Sequence, residues 1–97
     1  MKGNLTIIRS DGSILQTELD LSPALETLQA AVGGYIELIP FFDRYAGSDC
    51  IAYCNETGKI DGLPHNAVAQ TLWGHTFDNL VGDIAVLTGD DEFMESM

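Results

Sequence analysis

Most of the side chains in this sequence that could do chemistry are carboxylates. Fifteen Asp and Glu residues stand against four Lys and Arg residues in a chain of 97, which gives a formal net charge of −11. Acid–base catalysis needs two particular carboxyl groups in different environments at a set separation. So many carboxylates form many pairs and single out none. We therefore predict no catalytic residue and no enzymatic activity.

The other groups able to bind a metal or attack a substrate are Cys50, Cys54, His65 and His75. The residues between the cysteines favour a strand, which would hold the two thiols about 13 Å apart, too far for a disulfide or a shared metal ion. The spacings also match neither a C-x2-C zinc knuckle nor its usual histidine partner. We predict reduced, semi-buried thiols, which fit a bacterial cytoplasm. We predict no bound metal and no cofactor.

Phosphate and membrane signals are absent from the sequence. The glycines form no phosphate-binding loop, and the basic residues lie too far apart along the chain to form a basic stretch for nucleic acid. No apolar run reaches the length of a membrane span, and the N-terminus lacks the features of a signal peptide. We expect a cytoplasmic protein that does not bind nucleic acid or membranes directly.

Turn and helix signals locate the elements that must position these groups. Asp11-Gly12 predicts a hairpin, and a three-residue loop with Gly12 left-handed pairs Ile7 with Leu15 and Leu5 with Thr17. A helix follows, capped by Ser22, started by Pro23 and stopped by Gly33-Gly34.

Four further strands are predicted over 35–39, 50–54, 59–63 and 83–88, the second and third of them forming another hairpin. Asn66 is expected to cap a short second helix that ends before Gly74. The chain is thus predicted to form one α+β domain over residues 1–89, followed by a mobile acidic tail over 90–97. Its mostly antiparallel sheet of five to six short strands would carry the main helix on one face. The opposite face of that sheet is left open to solvent or to a ligand.

Three segments of the sequence resemble a small family of unknown function whose members occur mainly in phages, plasmids and other mobile elements. They are residues 50–66, Gly33-Gly34-Tyr35-Ile36-Glu37 and 81–87, and the likeness covers roughly residues 20 to 90. His65 departs from the proline or small residue expected there. The resemblance implies a mobile-element setting and supplies no catalytic residues. Short acidic proteins from that setting include anti-CRISPR and anti-restriction inhibitors that resemble DNA.

The acidic residues are unevenly distributed along the chain. Residues 1–44 hold six acids and three bases, a net charge of −3, whereas residues 45–97 hold nine acids and one base, a net charge of −8. A strongly negative side would attract a basic groove that normally holds DNA, and salt would weaken the attraction. We expect a phage-type DNA mimic that blocks the groove of a host defence complex, such as a CRISPR surveillance complex, as a monomer or small homo-oligomer.

The predicted contact residues are carboxylates at turns and strand ends and in the tail. They are Asp49, Glu56, Asp61, Asp78 and Asp83 at turns, and Asp90, Asp91 and Glu92 in the tail. Simple solvation of an acidic surface is the alternative reading of the same residues. A module that binds a nucleotide signal and a non-inhibitory phage accessory protein also remain open. Trp73, Phe77 and Tyr45 are candidates for an exposed recognition patch, although Trp73 better fits the core or its rim.

Overall fold

A computed structural model of the chain describes residues 2–19 and 25–96. The elements in this part are β1 (Gly3–Ile8), β2 (Ile14–Leu19), α1 (Leu25–Val32), β3 (Ile36–Leu38), β4 (Arg44–Tyr45), β5 (Ser48–Asp49), β6 (Ile51–Asn55), α2 (Ala67–Trp73), β7 (Ile84–Gly89) and α3 (Asp91–Glu95). Five strands form an antiparallel sheet in the order β2-β1-β7-β6-β3, and β4 pairs with β5 separately. The predicted α+β class is confirmed.

The first hairpin has the predicted three-residue loop. Ile7 pairs with Leu15 and Leu5 with Thr17, and the Arg9 amide donates to the Ser13 carbonyl at 2.9 Å. Gly12 has φ 92°, in the left-handed region that the loop requires. Because β2 is an edge strand, Leu15 stays about half exposed even in this register.

One face of the sheet packs against α1. Leu28 and Val32 of the helix are buried against Leu5, Ala85 and Leu87 of the sheet. The main helix therefore covers one face of the sheet, as predicted. The predicted cap Ser22 and first-turn Pro23 lie outside the described residues.

The opposite face, which the sequence left open, is covered as well. Ile8, Ala52 and Val86 of the sheet are buried beneath Ala69 and Trp73 of α2. Asn66 caps α2 as predicted, accepting from the Ala69 amide at 3.0 Å, and Gly74 ends the helix in a left-handed conformation. The expectation of an open face is therefore wrong, because this short helix carries enough apolar surface to close it.

The prediction of a second hairpin is also wrong. Residues 59–63 form consecutive turns, in which the Asp61 amide bonds to the Thr57 carbonyl at 2.9 Å and the Leu63 amide to the Gly58 carbonyl at 2.9 Å. Strand β6 pairs with β3 and β7 instead. A separate small hairpin, β4–β5, turns through Ala46 and Gly47, which have φ 51° and 83°, in a segment for which no strand was predicted.

The described part of the acidic tail is a packed helix. Phe93 of α3 is fully buried, in a notch between Gly3 and Gly89. A Cβ atom at Gly3 would lie 2.4 Å from the Phe93 ring, and one at Gly89 would lie 2.5 Å from it. Residues 91–95 therefore belong to the body of the protein and do not form a mobile tail.

Candidate functional site

Three of the predicted contact carboxylates lie at one end of the sheet. Glu56 directly follows β6 and Asp83 directly precedes the antiparallel β7, so they share an end. Asp83 accepts from the Ser10 amide at 3.0 Å, and Asp61 accepts from the Thr57 hydroxyl at 2.8 Å. Asp61, Asp83 and Ser10 line the same hollow of about 330 Å³.

Four others lie at the opposite end. Asp90 follows β7 and caps α3, while Asp91 and Glu92 occupy the first turn of that helix. Asp49 precedes β6 and forms an ion pair with Arg44 at 3.1 Å. Since Asp83 and Asp90 flank β7, seven residues apart, their backbones are separated by about 23 Å.

The predicted contact carboxylates are therefore divided between the two ends of the sheet. The topology gives the reason, because β7 of the acidic half of the chain lies between β1 and β6 and carries acids at both ends. Asp78 adjoins the first end, because it lines a cavity together with Glu56, and it pairs with Lys59. That hydrogen bond from Lys59 holds the pKa of Asp78 below its usual value.

Several of these carboxylates also have structural partners. Asp90 accepts hydrogen bonds from the amides of Phe93 at 2.8 Å and Lys2 at 3.0 Å, and these bonds lower its pKa. Asp49 forms an ion pair with Arg44, and Asp78 forms one with Lys59. The rigid attachment of these groups preserves their positions, but part of their negative charge is neutralised locally.

The cysteines and histidines are not brought together. The buried Cys50 thiol donates to the Phe42 carbonyl at 3.4 Å, and His65 contacts Gln70. Burial raises the pKa of each thiol, Cys50 and Cys54, to about 11, so both are protonated and poorly nucleophilic at neutral pH. Among residues 2–19 and 25–96, no group of three or more His, Cys, Asp or Glu side chains could hold a metal ion.

An aromatic surface is the feature that the sequence did not locate correctly. It consists of Phe41, His75 and Phe77 over the buried Trp73, with Trp73 to Phe77 centroids 5.0 Å apart and Trp73 to His75 centroids 5.2 Å apart. Phe41 lies 5.9 Å from His75 and 6.2 Å from Phe77. Tyr45, expected in such a patch, packs against the core instead.

Phe41 and Phe77 remain 69% and 63% exposed although they contact one another. Phe41 has φ 63°, a conformation that is a clear outlier for a bulky residue. Trp73 and Phe77 were candidates from the sequence, but Phe41 was not, since nothing in the Phe41-Phe42 pair distinguishes the buried ring from the exposed one. Phe42 is buried and Phe41 is turned outwards.

A cavity of about 240 Å³, here named the acidic cavity, adjoins the aromatic surface through Trp73. Its lining includes the carboxylates of Glu37, Glu56 and Asp78, together with Lys59. Cys54 also lines it, and after burial the charge of Glu37 is the main cause of its raised pKa. Three carboxylates against one paired lysine make this cavity negative.

Gln70 fixes the loop that joins the two features. Its side-chain amide donates to the carbonyls of His75 at 2.8 Å and Asp78 at 3.0 Å. Its side-chain oxygen accepts from the Leu80 amide at 2.8 Å. Residues 75–80 form no regular element, and these three bonds supply part of the hydrogen bonding that a helix or strand would provide.

Comparison with known proteins identifies the family and no activity. A family model described as a domain of unknown function, DUF3846, matches residues 1–96. The chain therefore belongs to this family, and the match extends through α3. No curated protein and no solved structure matches the chain. None of the described helices is long and apolar enough to cross a membrane.

Proposed function

We propose that this protein is a non-enzymatic inhibitor that occupies the basic, DNA-binding groove of a host defence complex. The observation that supports the proposal is the placement of exposed carboxylates at both ends of one small, rigid sheet. Glu56 and Asp61 are exposed at one end, and Asp49 and Asp91 are exposed at the other. The inhibitor holds the groove through both ends at once.

The dimensions and the charge agree with this role. The body measures 36 × 26 × 22 Å, and a DNA duplex as long as its longest axis carries roughly 21 phosphate charges. The protein carries a net charge of −11, which is of the same order. Lys and Arg side chains that hold the phosphates of DNA would attract such a body and release counterions when they bind it.

The mechanism is occlusion without turnover. The carboxylates need only be held at fixed positions, and the bonds to Asp61, Asp83 and Asp90 do this. The mobile-element setting implied by the family resemblance favours a phage or prophage protein that acts on a complex such as a CRISPR surveillance complex. No cofactor enters this mechanism.

Competition with DNA tests the proposal. Purified DNA-binding defence complexes, including a CRISPR surveillance complex and a restriction enzyme, would be titrated with the protein and labelled duplex in a mobility-shift assay. We expect inhibition of DNA binding by at least one complex, weakening as salt rises. If no complex is inhibited, or if inhibition does not depend on salt, the proposal is wrong.

Charge reversal supplies the matched control. Glu56→Lys and Asp91→Lys each remove one carboxylate from one end, and Glu26→Lys changes an exposed residue of α1 by the same two charge units. We expect the first two variants to inhibit at least tenfold less well than Glu26→Lys, with all three remaining folded. Equal inhibition by all three would show that only net charge matters.

A further inference from the structure

We infer that the aromatic surface and the acidic cavity together bind an arginine-containing segment of a partner protein, with an apolar residue next to the arginine. This surface shares Glu56 with one sheet end and includes none of the carboxylates at the other. The inference does not depend on the partner being a DNA-binding complex.

Exposed rings supply the apolar half of the site. Phe41 and Phe77 are more than half exposed, and Ile60, which lines the acidic cavity, is 87% exposed. Contiguous exposed apolar surface on a soluble protein marks interaction sites, and aromatic side chains are enriched in them. An apolar side chain of the partner would cover Phe41 and Phe77.

The cavity supplies the charged half. Glu37, Glu56 and Asp78 line it, and Lys59 is already paired with Asp78. A second cation therefore fits better than an anion. Arginine suits this arrangement more than lysine, because its planar guanidinium donates two hydrogen bonds to one carboxylate and stacks on aromatic rings.

The site is held in place before any partner arrives. Gln70 fixes the loop that carries Phe77 and Asp78, and the Trp73 indole donates to the Pro40 carbonyl at 2.9 Å beside Phe41. Preorganisation of this kind lowers the ordering cost of binding. The left-handed backbone of Phe41 turns its ring outwards, and conformations of this kind cluster at binding sites.

A second copy of the chain fits this surface poorly. The cavity lies beside β3, an edge strand of three residues with the exposed Glu37 at its centre. Antiparallel pairing of two such edges centred on Glu37 would place the two carboxylates opposite each other, which blocks edge association. The net charge of −11 on each copy adds to the repulsion.

A peptide titration followed by NMR tests the inference. The probe is the synthetic peptide acetyl-Gly-Arg-Trp-Arg-Gly-amide, compared with one in which Gln replaces both arginines and one in which Gly replaces the tryptophan. We expect the probe to shift the backbone amides of residues 37–39, 41 and 75–79. It should bind at least tenfold more tightly than either comparison peptide.

Two double variants locate the binding on the protein. Phe41→Ala with Phe77→Ala should abolish the preference for the probe. Leu25→Ala with Leu72→Ala, which removes exposed apolar side chains from the two helices, should leave it unchanged. Sedimentation of the unliganded protein completes the set, and a monomer is expected over the concentrations used.

Three results would overturn the inference. Equal binding of the Gln peptide would show that no cation is recognised. Shifts spread over both sheet ends, unchanged in the Phe41 and Phe77 variant, would show attraction by charge alone. A dimer that disappears in that variant would make a second copy the occupant. Because no defence complex takes part, each of these results leaves the proposed inhibition to its own test.

Discussion

The two faces of the sheet use aromatic residues in opposite ways. On the α1 face, Phe93 is fully buried in the notch between Gly3 and Gly89. On the α2 face, the aromatic cluster begins with the buried Trp73 and continues outwards to the exposed rings of Phe77 and Phe41. The first face buries its ring completely, whereas the second leaves two of its rings largely exposed to solvent.

Truncation of one ring on each face is the strongest test of this difference. Phe93→Ala leaves a cavity in a sealed core and should lower the free energy of unfolding by about 3–5 kcal/mol. Phe77→Ala removes only partly exposed contacts and should cost about 1 kcal/mol or less. Urea unfolding of both variants measures the two values. Similar losses would mean that the aromatic surface is part of the core.

Asn66 and Gln70 each hold a different part of the molecule through a side-chain amide, and exchanging each amide for a carboxylate compares the two roles. The Asn66 amide donates to the carbonyls of Ile8 at 2.8 Å and Gly82 at 2.9 Å, and the residue is fully buried. Asn66→Asp keeps the helix cap but leaves both carbonyls facing a carboxylate, so a loss of about 3 kcal/mol is expected.

Gln70→Glu is the matched exchange at a half-buried position that holds only the loop of residues 75–80. A smaller loss of about 1 kcal/mol is expected from the hydrogen bonds it breaks. Faster hydrogen exchange should be confined to that loop. If Gln70→Glu destabilises the protein more than Asn66→Asp, the loop is an integral part of the fold.

The backbone of Phe41 allows a third comparison. Glycine tolerates a positive φ and alanine does not, so Phe41→Gly should be more stable than Phe41→Ala by about 1 kcal/mol. Phe77 is not left-handed, and the order of its two variants should be reversed. Thermal or urea unfolding of the four variants decides the matter. The same order at both positions would remove the argument from strain.

Local signals in the sequence predicted those parts of the fold that depend on neighbouring residues. Gly12 set the register of the first hairpin, and Asn66 with Gly74 set the bounds of α2. Asn66 also bonds to Ile8, 58 residues away, which no local pattern indicates. The capping residue was therefore predictable, and its role in joining α2 to the sheet was not.

Features that depend on distant contacts were missed. The helix α3 depends on a notch formed by Gly3 and Gly89, which lie near opposite ends of the chain but pair with each other. The charge of residues 45–97 suggested one negative side, but the antiparallel order of β1, β7 and β6 divided the predicted contact acids between two ends. The aromatic surface likewise joins Phe41 to a loop more than thirty positions away.

The smallest predicted effect concerns pH and the anchoring of α3 on the α1 face. The Phe93 and Lys2 amides lower the pKa of Asp90 below its usual 3.8. A lowered pKa in the folded state means that the ionised carboxylate contributes stability above about pH 4, and that this contribution disappears as the pH falls through the folded pKa.

Asp90→Asn keeps a capping oxygen but does not titrate. The variant should therefore be slightly less stable than the wild type at pH 7, and the difference should decrease as the pH falls below about 4. Urea unfolding of both proteins at pH 7, 5 and 3 measures this difference, in which the contributions of Asp11 and Asp78 cancel because both proteins retain them. A difference that stays constant with pH would show that the charge of Asp90 does not anchor the helix, and that Phe93 alone holds it in its notch.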